Sequence, residues 1–103
     1  MVHKTADVEI LQGEVLPLSI DISAVLQAGE VVQSVVATLT EQTAQALIAD
    51  GIEGTPSVTD TTLNVTVDGR ELTPTDRYTL KVLMTIEPNA KVVGTRTTVL
   101  CRA

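Results

Sequence analysis

His3, Cys101 and Tyr78 are the only imidazole, thiol and phenol in the chain, and any side-chain chemistry would start from them. A histidine works as general base or metal ligand when partners converge on it. His3 stands alone in "MVHKTADVEILQGE", whose first seven residues read as a flexible or docking arm. A cysteine becomes a nucleophile when a neighbouring cation lowers its pKa. No His or Lys is placed to do so for Cys101, which falls on the inward face of the last apolar run and reads as a small apolar side chain. Tyr78 could be a binding or catalytic phenol, but its setting favours a structural role, argued below. The carboxylates never take the D-x-D-x-D-G spacing of a calcium loop. Asp50, Glu53 and Asp60 could hold a loose cation, and read instead as solvated loop charges. No Gly-rich phosphate loop, G-x-S-x-G or C-x-x-C occurs. The chain is read as a non-enzyme that uses no cofactor and no metal.

Charge removes a further class. Thirteen acids against seven bases give a net charge of -6, the wrong sign for neutralising phosphates. The bases, Lys4, Arg70, Arg77, Lys81, Lys91, Arg96 and Arg102, are scattered singly along the sequence. With no Phe and no Trp, the stacking platforms for single strands are missing too. Nucleic acid is therefore not expected as a partner. No apolar run approaches the roughly 20 residues that span a bilayer as a helix, so no membrane is expected. No apolar run follows Lys4, so no secretory signal is read. A lone cysteine cannot close an internal disulfide.

The elements that must position these residues are strands. Val, Leu, Ile and Ala make up nearly all the apolar residues and Thr is abundant; the stiff, branched side chains of Val, Ile and Thr suit a pleated surface. "LPLSIDI" alternates, with Leu16, Leu18, Ile20 and Ile22 on one face and Pro17 on the other, as on an edge strand. "SAVLQAGE" predicts one helical turn with Ser23 as N-cap, Val25 and Leu26 inward, and Gly29 as left-handed stop. "VVQSVVATLT" is a strand with Val35, Ala37 and Leu39 inward. Residues 41–50 carry Ala44, Leu47 and Ile48 at helical spacing before Gly51, and stay open between helix, strand and loop. "GIEGTPSVTDTT" predicts a turn region at a sandwich end. "TLNVTVDG" faces Leu63, Val65 and Val67 inward and ends in an Asp68-Gly69 turn. "RYTLKVLMTI" and "KVVGTRTTVLCR" alternate on either side of the "EPNA" turn. About seven short strands with turns every 8–12 residues predict one antiparallel β-sandwich over 1–103.

Leu72, Pro74 and Tyr78 stand at the spacing L-x-P-x-x-x-Y ahead of the alternation Leu80, Val82, Met84. This resembles the tyrosine corner of fibronectin type III and immunoglobulin-like domains, where the chain crosses between sheets and the Tyr hydroxyl bonds back to upstream backbone. The resemblance implies a buried ring with its hydroxyl latched in the 72–75 region. Asp21, just before the Ser23 turn, is either an acceptor for that turn's N–H groups or a solvated charge that protects an edge.

Asp21, Ser23, Ala24, Leu26, Gly29, Glu30, Val32 and Ser34 also follow in order a pattern of small tailed-bacteriophage proteins. That pattern is apolar-x-apolar-Asp, a Ser-Ala-x-Leu turn, Gly-Asp/Glu, then an apolar-x-Ser strand. The chain resembles this family along most of its length, although Ile22 and Ala37 stand where the family often has Trp and Asp68-Gly69 where it has Gly-Gly. Residues 41–50 are an insertion. The resemblance implies an immunoglobulin-like virion structural protein, a fibre–tail adaptor or head–tail accessory part. It would be made in the bacterial host cytoplasm and would contact tail, fibre, portal-region or capsid proteins and copies of itself. Capsid decoration, a soluble immunoglobulin-like binding module, and a small enzyme or enzyme inhibitor are the alternative readings.

Overall fold

The computed structural model describes residues 2–4, 7–74 and 76–103. Nine strands form two sheets: β1 (Val2–Lys4), β2 (Val8–Leu11), β3 (Val15–Asp21), β4 (Val31–Glu41), β5 (Ala46–Leu47), β6 (Ile52–Thr59), β7 (Thr62–Asp68), β8 (Arg77–Glu87) and β9 (Lys91–Arg102). The larger sheet has the order β1-β9-β8-β4-β5, with β2 also on β9; the smaller has the order β3-β7-β6. Strand accounts for 65% of the chain and helix for 6%, so the architecture is all-β. It is an immunoglobulin-like β-sandwich.

The alternations explain the core. Tyr78, Leu80, Val82, Met84 and Ile86 of β8 are buried, and so are Val93, Thr95, Thr97, Val99 and Cys101 of β9. They face Leu63, Val65 and Val67 of β7, with half-buried Leu16, Leu18 and Ile20 of β3 closing the side. Aliphatic side chains fill the space that aromatics often occupy, and their branching holds rotamers fixed on the pleat. One polar atom in this layer is unpaired: Thr95 Oγ1 is buried without a hydrogen-bond partner. Thr95→Val keeps the shape and removes the desolvated hydroxyl, so urea unfolding should show a gain of about 1 kcal/mol.

Several expectations are corrected. Residues 41–50, open between helix, strand and loop in the sequence, form a turn and the two-residue β5; Gln45 has φ +56, which interrupts any helical run. Gly51 is not a helix stop. It is buried, and a Cβ there would lie 2.8 Å from Leu39 Cδ2, so any larger residue would push on the buried Leu39 side chain. The stretch read as a sandwich-end turn is largely β6, an edge strand that tolerates Pro56 and carries a register shift between Glu53 and Ser57, with Gly54 at φ +70. Ser23 opens a 3₁₀ turn (Ser23–Val25) rather than capping an α-helical one, and Ile22 holds the cap position without a side-chain bond. Within the arm read over 1–7, residues 1, 5 and 6 lie outside the described residues, while Val2–Lys4 pair in parallel with Gly94–Arg96.

Candidate docking surface

Tyr78 opens β8 with its ring 2% exposed, and Thr73 N–H donates to its hydroxyl oxygen at 2.8 Å. Leu72 is buried beside it and Pro74 half-buried; Thr75 lies outside the described residues. The phenol is thus an acceptor that fixes the crossing from the small sheet to the large one. Tyr78→Phe leaves the Thr73 N–H unpartnered and should cost about 1 kcal/mol in a denaturant titration. An unchanged midpoint would mean that the hydroxyl holds nothing.

Asp21 ends β3 exposed, and its Oδ1 accepts from Ser23 N–H at 2.9 Å. That bond holds its carboxyl below the usual range. Gly29 takes φ +83, where a side chain is strained. Sequence reasoning treated Glu30 only as part of the phage-like pattern, yet it is the most heavily bonded acid of the segment. Its side chain is 1% exposed, with Lys91 Nζ 2.8 Å from Oε1. Gln27 N–H donates to Oε1 at 2.7 Å and Asn89 Nδ2 to Oε2 at 2.6 Å. The Lys91 hydrogen bond leads these causes in pulling its pKa from 4.5 to about 2. The sequence signal was available: a Gly-Glu pair opposite the Asn89–Lys91 turn, legible only once β4 and β8 are known to pair.

Asp68 and Gly69 were also under-read. Asp68 accepts from Arg70 N–H (3.0 Å), Nε (2.9 Å) and Nη2 (2.9 Å), and the Arg70 bonds hold its carboxyl low. The turn expected at this dipeptide is a second 3₁₀ turn (Gly69–Glu71) with Asp68 at its cap. Gly69 N–H donates to Glu14 O at 2.7 Å, and Gly13 N–H donates to Gly69 O at 3.2 Å, so the β2–β3 turn is bonded to the chain crossing.

These residues position loops and edges; they do not converge on a reaction centre. Cys101 is buried, and desolvation pushes its thiol pKa up, away from nucleophilic use. Asp50, Glu53 and Asp60 stay apart from any metal cluster: among the described residues, no three His, Cys, Asp or Glu group to hold an ion. An open hollow of about 320 Å³ lies between β2 and β3, lined by Val8, Leu18 and Ile20 with Asp7 and Asp21 at its rim. A second, of about 580 Å³, sits at the sandwich end under Leu26, Val31, Val32, Val58 and Asp60. No helix among the described residues is long and apolar enough to cross a membrane.

Besides β6, interrupted by Pro56, two edges among the described residues offer unpaired backbone. β3 is one, blunted by Pro17. β4 is the other: β5 covers only Thr40 and Glu41, and residues 31–40 carry no charge. Long uncharged edges are surfaces on which another strand can add.

Neither a family model nor a curated protein sequence matches the chain. Solved structures do. The chain is similar to the M1 domain from titin at 13% identity and a TM-score of 0.49, covering 98% of this chain and 92% of that one. It is similar to titin kinase and its flanking domains at 13% identity and a TM-score of 0.50, covering 99% of this chain and only 17% of that one. At such identity the second likeness concerns the fold alone, and with the two-sheet all-β architecture it gives the chain an immunoglobulin-like fold.

Proposed function

We propose that the chain is a non-enzymatic structural component of a tailed-phage virion, an adaptor or accessory protein at the tail, fibre or head–tail region. The observation that supports this most is the build of the Asp21–Ser34 segment. Three of the eight residues that match the phage pattern shape it: Asp21 accepts from the turn, Gly29 supplies the positive φ, and Glu30 ties the loop to Asn89 and Lys91. A pattern matched at positions with defined structural work is stronger than one matched at surface positions. The free β4 edge fits docking by backbone pairing, weak for each contact and strengthened by repetition around a symmetric particle. A tail or fibre-adaptor place is preferred to capsid decoration.

Mass spectrometry of purified particles from a phage that encodes the chain tests the reading. A copy number near six or twelve, matching tail symmetry, supports the adaptor. Hundreds of copies would move it to decoration, and absence from mature particles would overturn the virion role. The second reading, a soluble immunoglobulin-like binding module, is favoured by the two open hollows with carboxylates at their rims. It expects a ligand-binding monomer that never enters particles.

A further inference from the structure

The outer face of the larger sheet is charged in an ordered way that the overall acidity conceals. Outward residues along β8 run Lys81, Leu83, Thr85, Glu87: a base, an aliphatic, a hydroxyl and an acid. Register places Thr38 and Arg96 beside Lys81, Val36 and Gly94 beside Leu83, Ser34 and Val92 beside Thr85, and Val31 beside Glu87. Val31, Val36 and Val92 are 63%, 59% and 57% exposed, and Leu83 is 39% exposed. The face is therefore basic at one end, aliphatic in the middle and acidic at the other. Among the described residues, Lys81 and Glu87 form no ion pair within the chain. Six residues apart on one strand, they are separated by roughly 20 Å and cannot meet. Lys81 and Arg96, by contrast, are direct cross-strand neighbours, so the basic end of the face is a row and not a single charge.

We propose that this face is the self-complementary surface of a two-fold dimer of the chain. A two-fold axis lying in the face, across the strands and between the Leu83 and Thr85 rows, reverses the order of rows on the second copy. Lys81 of one copy then meets Glu87 of the other, with Arg96 one strand to the side, and the reverse pair forms at the far end. Leu83 packs on Thr85 of the second copy, and Val92 lies over the Gly94 row. The alternative axis, along the strands, sets base row on base row and is disfavoured. Each copy thus offers the same patch to the other, as an isologous contact requires. The overlap is one sheet face of a small domain, at the low end of stable interfaces, so the dimer is a weak one. It stands independently of the virion reading, since a dimer in solution neither needs nor excludes a particle.

Sedimentation velocity on the whole chain, from roughly 10 µM to 1 mM at low and high salt, tests it. Wild type should dimerise with concentration, and less so in high salt. Lys81→Glu and Glu87→Lys should each weaken the dimer about tenfold or more. An equimolar mixture of the two variants should associate again. At one end of that heterodimer the introduced acid faces the introduced base, and at the other the native Glu87 of the first variant faces the native Lys81 of the second. Unchanged thermal midpoints would show that the variants fold. Wild type remaining monomeric at the highest concentration would overturn the proposal. So would a dimer that ignores Lys81→Glu, or a variant mixture that stays monomeric; the first and second of these would leave the face to some other partner or to solvent, and the third would refute the pairing of Lys81 with Glu87.

Discussion

Gly69→Ala should be among the most damaging single substitutions in this protein, lowering stability by about 3 kcal/mol in urea or guanidinium titration. A Cβ built there lies 2.5 Å from Glu14 O, 2.9 Å from Leu11 O and 3.0 Å from Ile10 Cδ1. Two of these neighbours are backbone oxygens, and the Glu14 oxygen is already bonded to Gly69 N–H, so neither can swing aside as a side chain would. Relief would require the β2–β3 turn to lift off the chain crossing. That breaks the Gly69–Glu14 and Gly13–Gly69 bonds and unseats buried Ile10. Against a total of roughly 5–15 kcal/mol, the loss is a large share of what holds a domain folded. Gly13→Ala is the control. Gly13 has φ +86 but nothing within 4 Å, so its substitution should cost only backbone strain, about 1–2 kcal/mol. If Gly69→Ala loses no more than Gly13→Ala, the close approach is not the cause.

Glu30→Gln should lower the melting temperature by several degrees at neutral pH and flatten the acid dependence of unfolding. The folded pKa is depressed from 4.5 to about 2. Its contribution is therefore fully present above about 4.5 and lost as pH falls from there through about 2. Asp21 and Asp68 are shifted in the same direction by Ser23 and Arg70, so some acid sensitivity will survive in the variant. A glutamine can keep hydrogen bonds near Gln27 and Asn89, but it leaves Lys91 facing a neutral group. Lys91→Met should reduce stability as well, by exposing the converse defect: a buried carboxylate without its cation. Parallel melting curves for wild type and Glu30→Gln between pH 2 and 5 would show that the clamp does not contribute.

What could be read from the sequence followed how local the determinants are. The alternations in β3, β7, β8 and β9 gave their inward faces residue by residue, because period two is written into the chain itself. The Leu72, Pro74, Tyr78 spacing was legible for the same reason: all three residues act within one crossing. β6 was missed because glycine and proline signal turns in isolation, while an edge strand accommodates both at a bulge. β5 was left open because two residues have no periodicity. Glu30, Gly51 and Gly69 depend on neighbours far away in sequence, Lys91, Leu39 and Glu14, and nothing local marks an acid as clamped or a glycine as crowded. The row order on the outer sheet face was hidden likewise: single scattered bases become a row only when register brings Lys81 beside Arg96.

The parallel pairing of β2 with β9 sets a constraint on how the chain is made. Val8–Leu11 bonds along Val99–Arg102, about ninety residues later, and β1 docks on the same strand. During synthesis, the first two strands have no partner until the last one leaves the ribosome, seconds after their own emergence at ordinary elongation rates. For that interval, Ile10 is without its core, and β8 lacks the strand that will cover one of its edges while the uncharged β4 lines the other. The contact order is high, and closure comes late. Nascent chains stalled before residue 99 should therefore expose sticky strand edges, whereas emergence of β9 should let it seal both sides of the gap in one event.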